Sequence, residues 1–71
     1  RVHAASFLDE GDANEMRARL ILLNLPADVE INDSTTGTWH RVILGPFERR
    51  VDANRALTKL REQDISGIIL N

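Results

Sequence analysis

The chain contains 71 residues and no cysteine; 42% of its residues are hydrophobic, 28% are charged, and the formal net charge is −2. This length fits one small domain, and the lack of cysteine excludes disulfide frameworks, thiolate zinc sites and thiol nucleophiles. The slightly acidic balance lacks the basic surface typical of nucleic-acid-binding proteins, so no nucleic-acid partner is expected. We expect residues 1–71 to form a single domain of a longer protein, because the first residue is Arg1 rather than methionine.

The first half of the chain predicts a strand, a helix and a second strand. Residues 2–6 have the pattern of a short strand. Asp12 is suited to cap the following helix, with Glu15 three residues later as its capping-box partner. Pro26 ends that helix, and strict alternation over residues 27–31 predicts a half-buried strand. Apolar residues at helical spacing give the helix one core-facing stripe, which consists of Ala13, Met16, Leu20 and Leu23.

The second half predicts a strand, a helix and a last strand. The polar segment 32–38 has the composition of a hairpin loop, and residues 39–44 follow it as a strand. A second helix is expected over about residues 52–63, and residues 67–70 form the last strand. The inward residues of this helix are Ala53, Ala56, Leu57 and Leu60. The order βαββαβ predicts an α+β fold of the ferredoxin or RNP-like type, in which two helices cover one face of a four-stranded antiparallel sheet.

An internal repeat supports this division. Shifting the chain by forty residues aligns residues 12–14 with the identical residues 52–54, and Leu20 with Leu60. The same shift aligns Phe7 with Phe47. A period of this length often indicates a solenoid, but two copies are too few to stack and cap one. We therefore interpret residues 1–31 and 41–71 as two similar half-units of one domain.

Helices on one face leave the other face of the sheet open to solvent, and strand alternation predicts which side chains lie there. Val2, Ala4, Val42 and Leu44 form the natural core-facing set, whereas Arg1, His3, Trp39, Arg41 and Ile43 fall on the open side. On the second strand, Asp28 and Glu30 point outward. A hairpin register that aligns Val29 with Val42 also places Glu30 opposite Arg41, so a cross-strand ion pair is an alternative role for that arginine.

The sequence predicts no catalytic centre and no metal or cofactor site. Ser6, His3 and several aspartates are present, but no spacing orders them as nucleophile, base and orienting group. His3 and His40 fall on strand positions of opposite parity, which prevents their rings from converging on a metal ion. A binding function fits the sequence better than an enzymatic one.

Three segments resemble the SPOR domain family of bacterial envelope proteins: residues 2–7, 39–42 and 45–47. The usual pattern of the family is an apolar strand that contains Gln and ends in Gly-Ser-Phe, followed later by a Trp-Tyr-Arg-Val-like strand that ends in Gly-Pro-Phe. In this chain His3 replaces the Gln and Ala5 replaces the Gly. The resemblance covers the whole chain, including both helices and the βαββαβ order.

The resemblance implies a non-enzymatic module that binds septal peptidoglycan, in particular denuded glycan strands, from which amidases have removed the stem peptides. It implies a periplasmic location at the division septum, within an inner-membrane division protein or an outer-membrane lipoprotein. The domain then meets the membrane only through a tether and is expected to be monomeric. The glycan-contacting positions of the family fall on His3, Ser6, Trp39, Arg41 and Ile69.

Alternatives to this site and this function remain at the level of sequence. The forty-residue shift matches Ile69 to the inward Val29, so an outward Ile69 requires a one-residue slip in the final turn. Trp39 can instead cover the end of the hairpin, and Ser6 can cap the turn after the first strand. Two rival functions are an RNA-binding sheet, which would stack bases on aromatic side chains, and a regulatory dimer that binds a small metabolite.

Overall fold

A computed structural model describes residues 1–70 of the chain. The elements are β1 (Val2–Phe7), α1 (Glu10–Leu22), β2 (Ala27–Ser34), β3 (Gly37–Leu44), α2 (Arg50–Glu62) and β4 (Ile68–Ile69). The strands form one antiparallel sheet in the order β2-β3-β1-β4, and both helices pack on the same face. The predicted α+β fold is confirmed. Asn71, the last residue of the second predicted half-unit, lies outside the described residues.

The core lies between the two helices and the central strands β1 and β3. The five largest completely buried side chains lie there: Leu20 from α1, Leu60 from α2, and Val2, Val42 and Leu44 from the sheet. The predicted inward stripes of both helices are confirmed, with Met16, Leu23 and Leu57 packed against this core. Within residues 1–70, no helix is long and apolar enough to cross a membrane.

Helix α1 begins earlier than the sequence pattern predicts, and the assignment of Asp12 as its cap is wrong. Asp9 is the N-cap residue, and its Oδ1 accepts a hydrogen bond from the backbone N–H of Asp12 at 3.1 Å. Aspartate is a favourable N-cap at either position, and the earlier one is used because β1 ends at Phe7 and the chain turns directly afterwards. Asp12 lies in the first turn, where its negative charge interacts favourably with the helix dipole.

The β2–β3 hairpin is longer than predicted, and its loop contains only residues 35 and 36. Polar side chains at this end pair with one another instead of ending the strands. Thr38 Oγ1 donates to Asp33 Oδ1 at 2.8 Å across the hairpin, and the Ser34 hydroxyl lies 2.9 Å from that of Thr36. A polar composition therefore does not end the pairing, because the cross-strand partners satisfy each other's hydrogen bonds.

The two helices are related by the same shift of forty residues that appears in the sequence. Each has 13 residues and is followed by a residue in the left-handed region, Asn24 at φ 63° and Asp64 at φ 59°. The hydrogen bonds between the two helices follow the same symmetry. The Arg19 guanidinium donates to Gln63 Oε1 at 3.2 Å, and Lys59 Nζ donates to the Leu23 carbonyl at 3.3 Å. Each helix thus provides a basic side chain to the end of the other.

Strand β4 is held close to α2 by a glycine. A Cβ atom on Gly67 would lie 2.7 Å from Leu60 Cδ1 and 3.0 Å from Leu57 Cδ1, so a larger residue here would force these leucine side chains to shift. The chain therefore enters β4 directly beneath the helix. This strand is shorter than the predicted residues 67–70, and it pairs with β1 only at Ile68 and Ile69.

Two leucines on α1 provide a test of this fold. Leu20 is completely buried, whereas Leu22 is 84% exposed. We expect Leu20→Ala to lower the free energy of unfolding by about 3–5 kcal/mol, because it removes packed methyl groups and leaves a cavity. Leu22→Ala should change it by less than about 0.5 kcal/mol. Urea denaturation of both variants measures the difference, and equal losses would contradict the described orientation of α1.

Candidate binding face

The sheet face opposite the helices, called the open face below, is organised in three rows that run across the strands. Side chains directly opposite each other in an antiparallel pair point to the same side of the sheet. The first row consists of Ile68, His3, Ile43 and Asp28; the second of Ser6, Arg41 and Glu30; and the third of Trp39 and Asn32. Four of the five predicted site residues therefore share one face.

A β-bulge in β1 brings His3 and Ser6 together on the open face. His3 pairs with Ile43 and Ala5 pairs with Val42, so Ala4 is the extra residue. Without the bulge, Ser6 would have the parity of Val2 and would point into the core. Instead, His3 Nε2 and Ser6 Oγ lie 2.8 Å apart. Neither Ala4 nor Ala5 has a positive φ, so the bulge forms without the glycine that the family pattern has at position 5.

The expectation that Ile69 faces the open side is wrong. Ile69 pairs with Val2, which is completely buried, and its side chain packs against the core beneath the helices. Ile68 pairs with His3 and takes the open-face position, where it is 59% exposed. No slip occurs in the final turn, and the register agrees with the forty-residue shift that matches Ile69 to inward Val29. Continuous apolar sequence in β4 concealed this facing.

Arg41 is opposite Glu30 as predicted, but the two side chains do not form an ion pair. The Glu30 carboxylate is bound by the guanidinium of Arg1 instead. Asp28, the other open-face carboxylate, lies 4.0 Å from the Arg17 guanidinium. Within residues 1–70, the guanidinium of Arg41 has no ion pair and no side-chain hydrogen bond. Neither acidic group of this face pairs with Arg41, so the Arg41 guanidinium can bind an anion.

The Arg1–Glu30 pair also explains an unexpected burial on the open face. Because β3 lies between β1 and β2, the Arg1 side chain must cross β3 to reach Glu30. It crosses at the level of Ile43, which is only 3% exposed although it is not part of the core beneath the helices. Beside it lies a shallow groove of about 280 Å³, lined by Arg1, Asp28, Glu30, Ile43, Gly45 and Pro46. The sequence did not reveal this role of Arg1.

Trp39 is half-buried at the hairpin end of the open face, on the same side of β3 as Arg41. Its indole N–H donates to Thr36 Oγ1 at 3.0 Å. This bond satisfies the single polar group of the indole and holds the ring in one orientation, which is useful for an aromatic platform. Thr36 therefore positions Trp39, a contribution that strand alternation does not predict.

The two histidines differ in environment. His40 is buried on the helix side of β3, and its Nδ1 has no hydrogen-bond partner among residues 1–70. His3 is on the open face, where partial burial and, to a smaller extent, the Arg41 guanidinium hold its pKa below the usual 6.5. In the described part of the chain, no group of three or more acidic or histidine side chains could hold a metal ion.

Together these residues can bind a ligand that has both an apolar surface and an anionic group. Trp39 provides a flat ring, Ile68 provides exposed aliphatic surface, and Ser6 and His3 provide a polar pair. Arg41 lies in the second row, between Trp39 in the third row and His3 in the first. Its guanidinium can make charge-assisted, bidentate hydrogen bonds to a carboxylate. The residues lie on a sheet surface rather than in a deep cleft.

Comparison with known proteins identifies the family. The family model of the SPOR domain matches residues 1–71, which is the entire chain. The chain is also similar to the crystal structure of the RlpA SPOR domain from Pseudomonas aeruginosa, with a TM-score of 0.84 and 18% sequence identity. That alignment covers 97% of this chain and 96% of the other. No curated protein matches the chain significantly. The chain belongs to the SPOR domain family, and it is a peptidoglycan-binding module of the kind found in bacterial envelope and cell-division proteins.

Proposed function

We propose that the open face recognises glycan strands whose stem peptides have been removed, and that this recognition targets the parent protein to the division septum. The observation that supports the proposal is the position of Arg41, which is half-buried on the open face and has no acidic partner among residues 1–70. The domain acts as a monomeric binding module in the periplasm, without a catalytic step.

Removal of the stem peptide changes the chemistry of the glycan in a way that Arg41 can detect. In peptidoglycan, the lactyl group of muramic acid is joined to the peptide through a neutral amide. Amidase cleavage at this position leaves a free carboxylate. A hydrogen bond between a guanidinium and a carboxylate is roughly twice as strong as a neutral one, so Arg41 favours the denuded strand over the substituted strand.

The remaining open-face residues suit the sugar rings. A pyranose presents a face of C–H bonds that can lie against the indole of Trp39, while its hydroxyl groups bond to polar side chains at the edge. His3 and Ser6 provide such polar groups beside Arg41. We include Ile68 in this site in place of Ile69, because Ile68 is the isoleucine of β4 that lies on the open face.

The flat shape of the site indicates modest affinity. We expect a dissociation constant of about 1 μM, which corresponds to about 8 kcal/mol. Repeated sites along a glycan strand and tethering of several parent molecules to one membrane would then raise the apparent affinity without additional contacts. Recruitment by many weak contacts fits a module whose partner is a polymer.

Sedimentation with purified sacculi tests the proposed specificity directly. We expect the protein to co-sediment with amidase-treated sacculi and to remain mostly in the supernatant with untreated sacculi of equal mass. The physical reason is the new lactyl carboxylate, which only the treated material presents. Equal binding to both preparations would contradict recognition of denuded strands.

Substitution of the two central residues tests the site. We expect Arg41→Ala to weaken binding to amidase-treated sacculi by about tenfold to a hundredfold, because it removes a charge-assisted contact. Trp39→Ala should weaken it by about tenfold through loss of ring stacking. The matched control is Arg55→Ala, which removes an exposed arginine from α2 on the other side of the molecule. Circular dichroism verifies the fold, and unchanged binding in both open-face variants would refute the site.

Two exposed isoleucines on opposite sides of the sheet test the corrected facing of β4. Ile68 is 59% exposed on the open face, and Ile31 is 67% exposed on the side of the helices. We expect Ile68→Ala to reduce binding to amidase-treated sacculi by about threefold to tenfold, because apolar contact with the ligand is lost. Ile31→Ala should leave binding unchanged. A stronger effect at Ile31 would contradict the assignment.

A further inference from the structure

We propose that His3 takes up a proton when the open face binds the carboxylate of its glycan ligand, so that affinity rises as the pH falls. This inference rests on the proposed function and adds a regulation of the same site. It depends on the position of one imidazole beside an unpaired guanidinium, and on the carboxylate of the proposed ligand.

The bulge in β1 fixes the geometry that the inference needs. It places the His3 ring on the open face with Nε2 2.8 Å from Ser6 Oγ. Within residues 1–70, the other ring nitrogen, Nδ1, has no hydrogen-bond partner. A neutral imidazole can donate from only one of these nitrogens, whereas an imidazolium donates from both. Nε2 can accept from the Ser6 hydroxyl in the neutral ring and donate to Ser6 Oγ in the protonated ring, so the contact with Ser6 is kept in both states. Protonation adds a positive charge, which makes donation from Nδ1 to a ligand carboxylate charge-assisted.

The charged groups around His3 disfavour this proton in the free protein. From β3, the nearest is Arg41, which repels a second positive charge. From β2, Asp28 lies beyond Ile43 and faces Arg17, while Glu30 is bound by Arg1 next to β1. From β4, the neighbour is uncharged Ile68. Partial burial is the larger cause and Arg41 the smaller cause of the lowered pKa of His3.

A bound carboxylate reverses this balance. It neutralises the field of Arg41 and attracts the imidazolium, so the pKa of His3 is higher in the complex than in the free protein. Above both pKa values His3 is neutral in both states, and below both it is protonated in both. At pH values between the two pKa values, the complex holds one more proton than the free protein. Affinity therefore increases as the pH falls from the higher pKa to the lower one, and it is constant below the lower one. The gain is about tenfold for each unit by which the ligand raises the pKa.

Calorimetric titration measures the proton directly. The probe is an oligosaccharide of alternating N-acetylglucosamine and N-acetylmuramic acid without peptides, titrated at a pH of about 6 in two buffers with different ionisation enthalpies. For the wild-type protein we expect the observed enthalpy to differ between the buffers, which indicates proton uptake. We also expect binding to be about threefold to tenfold tighter at a pH of about 5.5 than at about 7.5.

The matched variant is His3→Gln, which keeps a polar side chain but cannot take up a proton. We expect its binding to be independent of pH over this range and its enthalpy to be the same in both buffers, whatever its absolute affinity. His40 is still present in this variant, so a loss of proton uptake assigns the effect to His3. Retained proton uptake in His3→Gln would overturn the inference.

A second measurement covers the case in which His3→Gln fails to bind. Proton NMR of the His3 ring in the wild-type protein gives the pKa of the free protein and that of the complex. A higher pKa in the complex supports the inference, and an unchanged pKa overturns it. If the wild-type protein binds the oligosaccharide with no proton uptake, only the inference fails. If it does not bind at all, the proposed function fails as well.

Discussion

Burial of only one face of the sheet is the constraint on which the rest of this structure depends. Both helices pack on the same side, and their apolar stripes meet Val2, Val42 and Leu44 from the central strands. The side chains between these residues must then remain in contact with water. An arginine, a histidine and a tryptophan are stable there because each keeps part of its surface hydrated. The open face is therefore a consequence of how the core is built.

Most of the fold was predictable from the sequence because hydrophobic periodicity reports the side that each element buries. It identified both helices, all four strands and the side of β3 that carries Trp39 and Arg41. The errors occur where a local interaction overrides composition. Asp9 caps α1 in place of Asp12, and polar pairs such as Thr38 with Asp33 extend the hairpin. Neither choice follows from periodicity, since both alternatives have suitable residue types.

The site was less predictable, because its arrangement depends on long side chains and on the short final strand. The predicted register correctly placed Glu30 opposite Arg41, but the side chain of Arg1 crosses β3 and forms the ion pair with Glu30 instead. Such competition between two arginines cannot be read from strand alternation. The facing of β4 was concealed for another reason: Ile68 and Ile69 are both apolar, so only pairing with β1 decides which one points outward.

The bulge at Ala4 shows that the backbone conformation of β1, and not only its residue types, decides which side chains lie on the open face. Alanine has no functional group in its side chain, and its methyl group buries little apolar surface. If the same residues paired in regular alternation without the bulge, Ser6 would point into the core and Phe7 into water. The backbone conformation of two alanines therefore decides whether His3 and Ser6 can contact the same ligand.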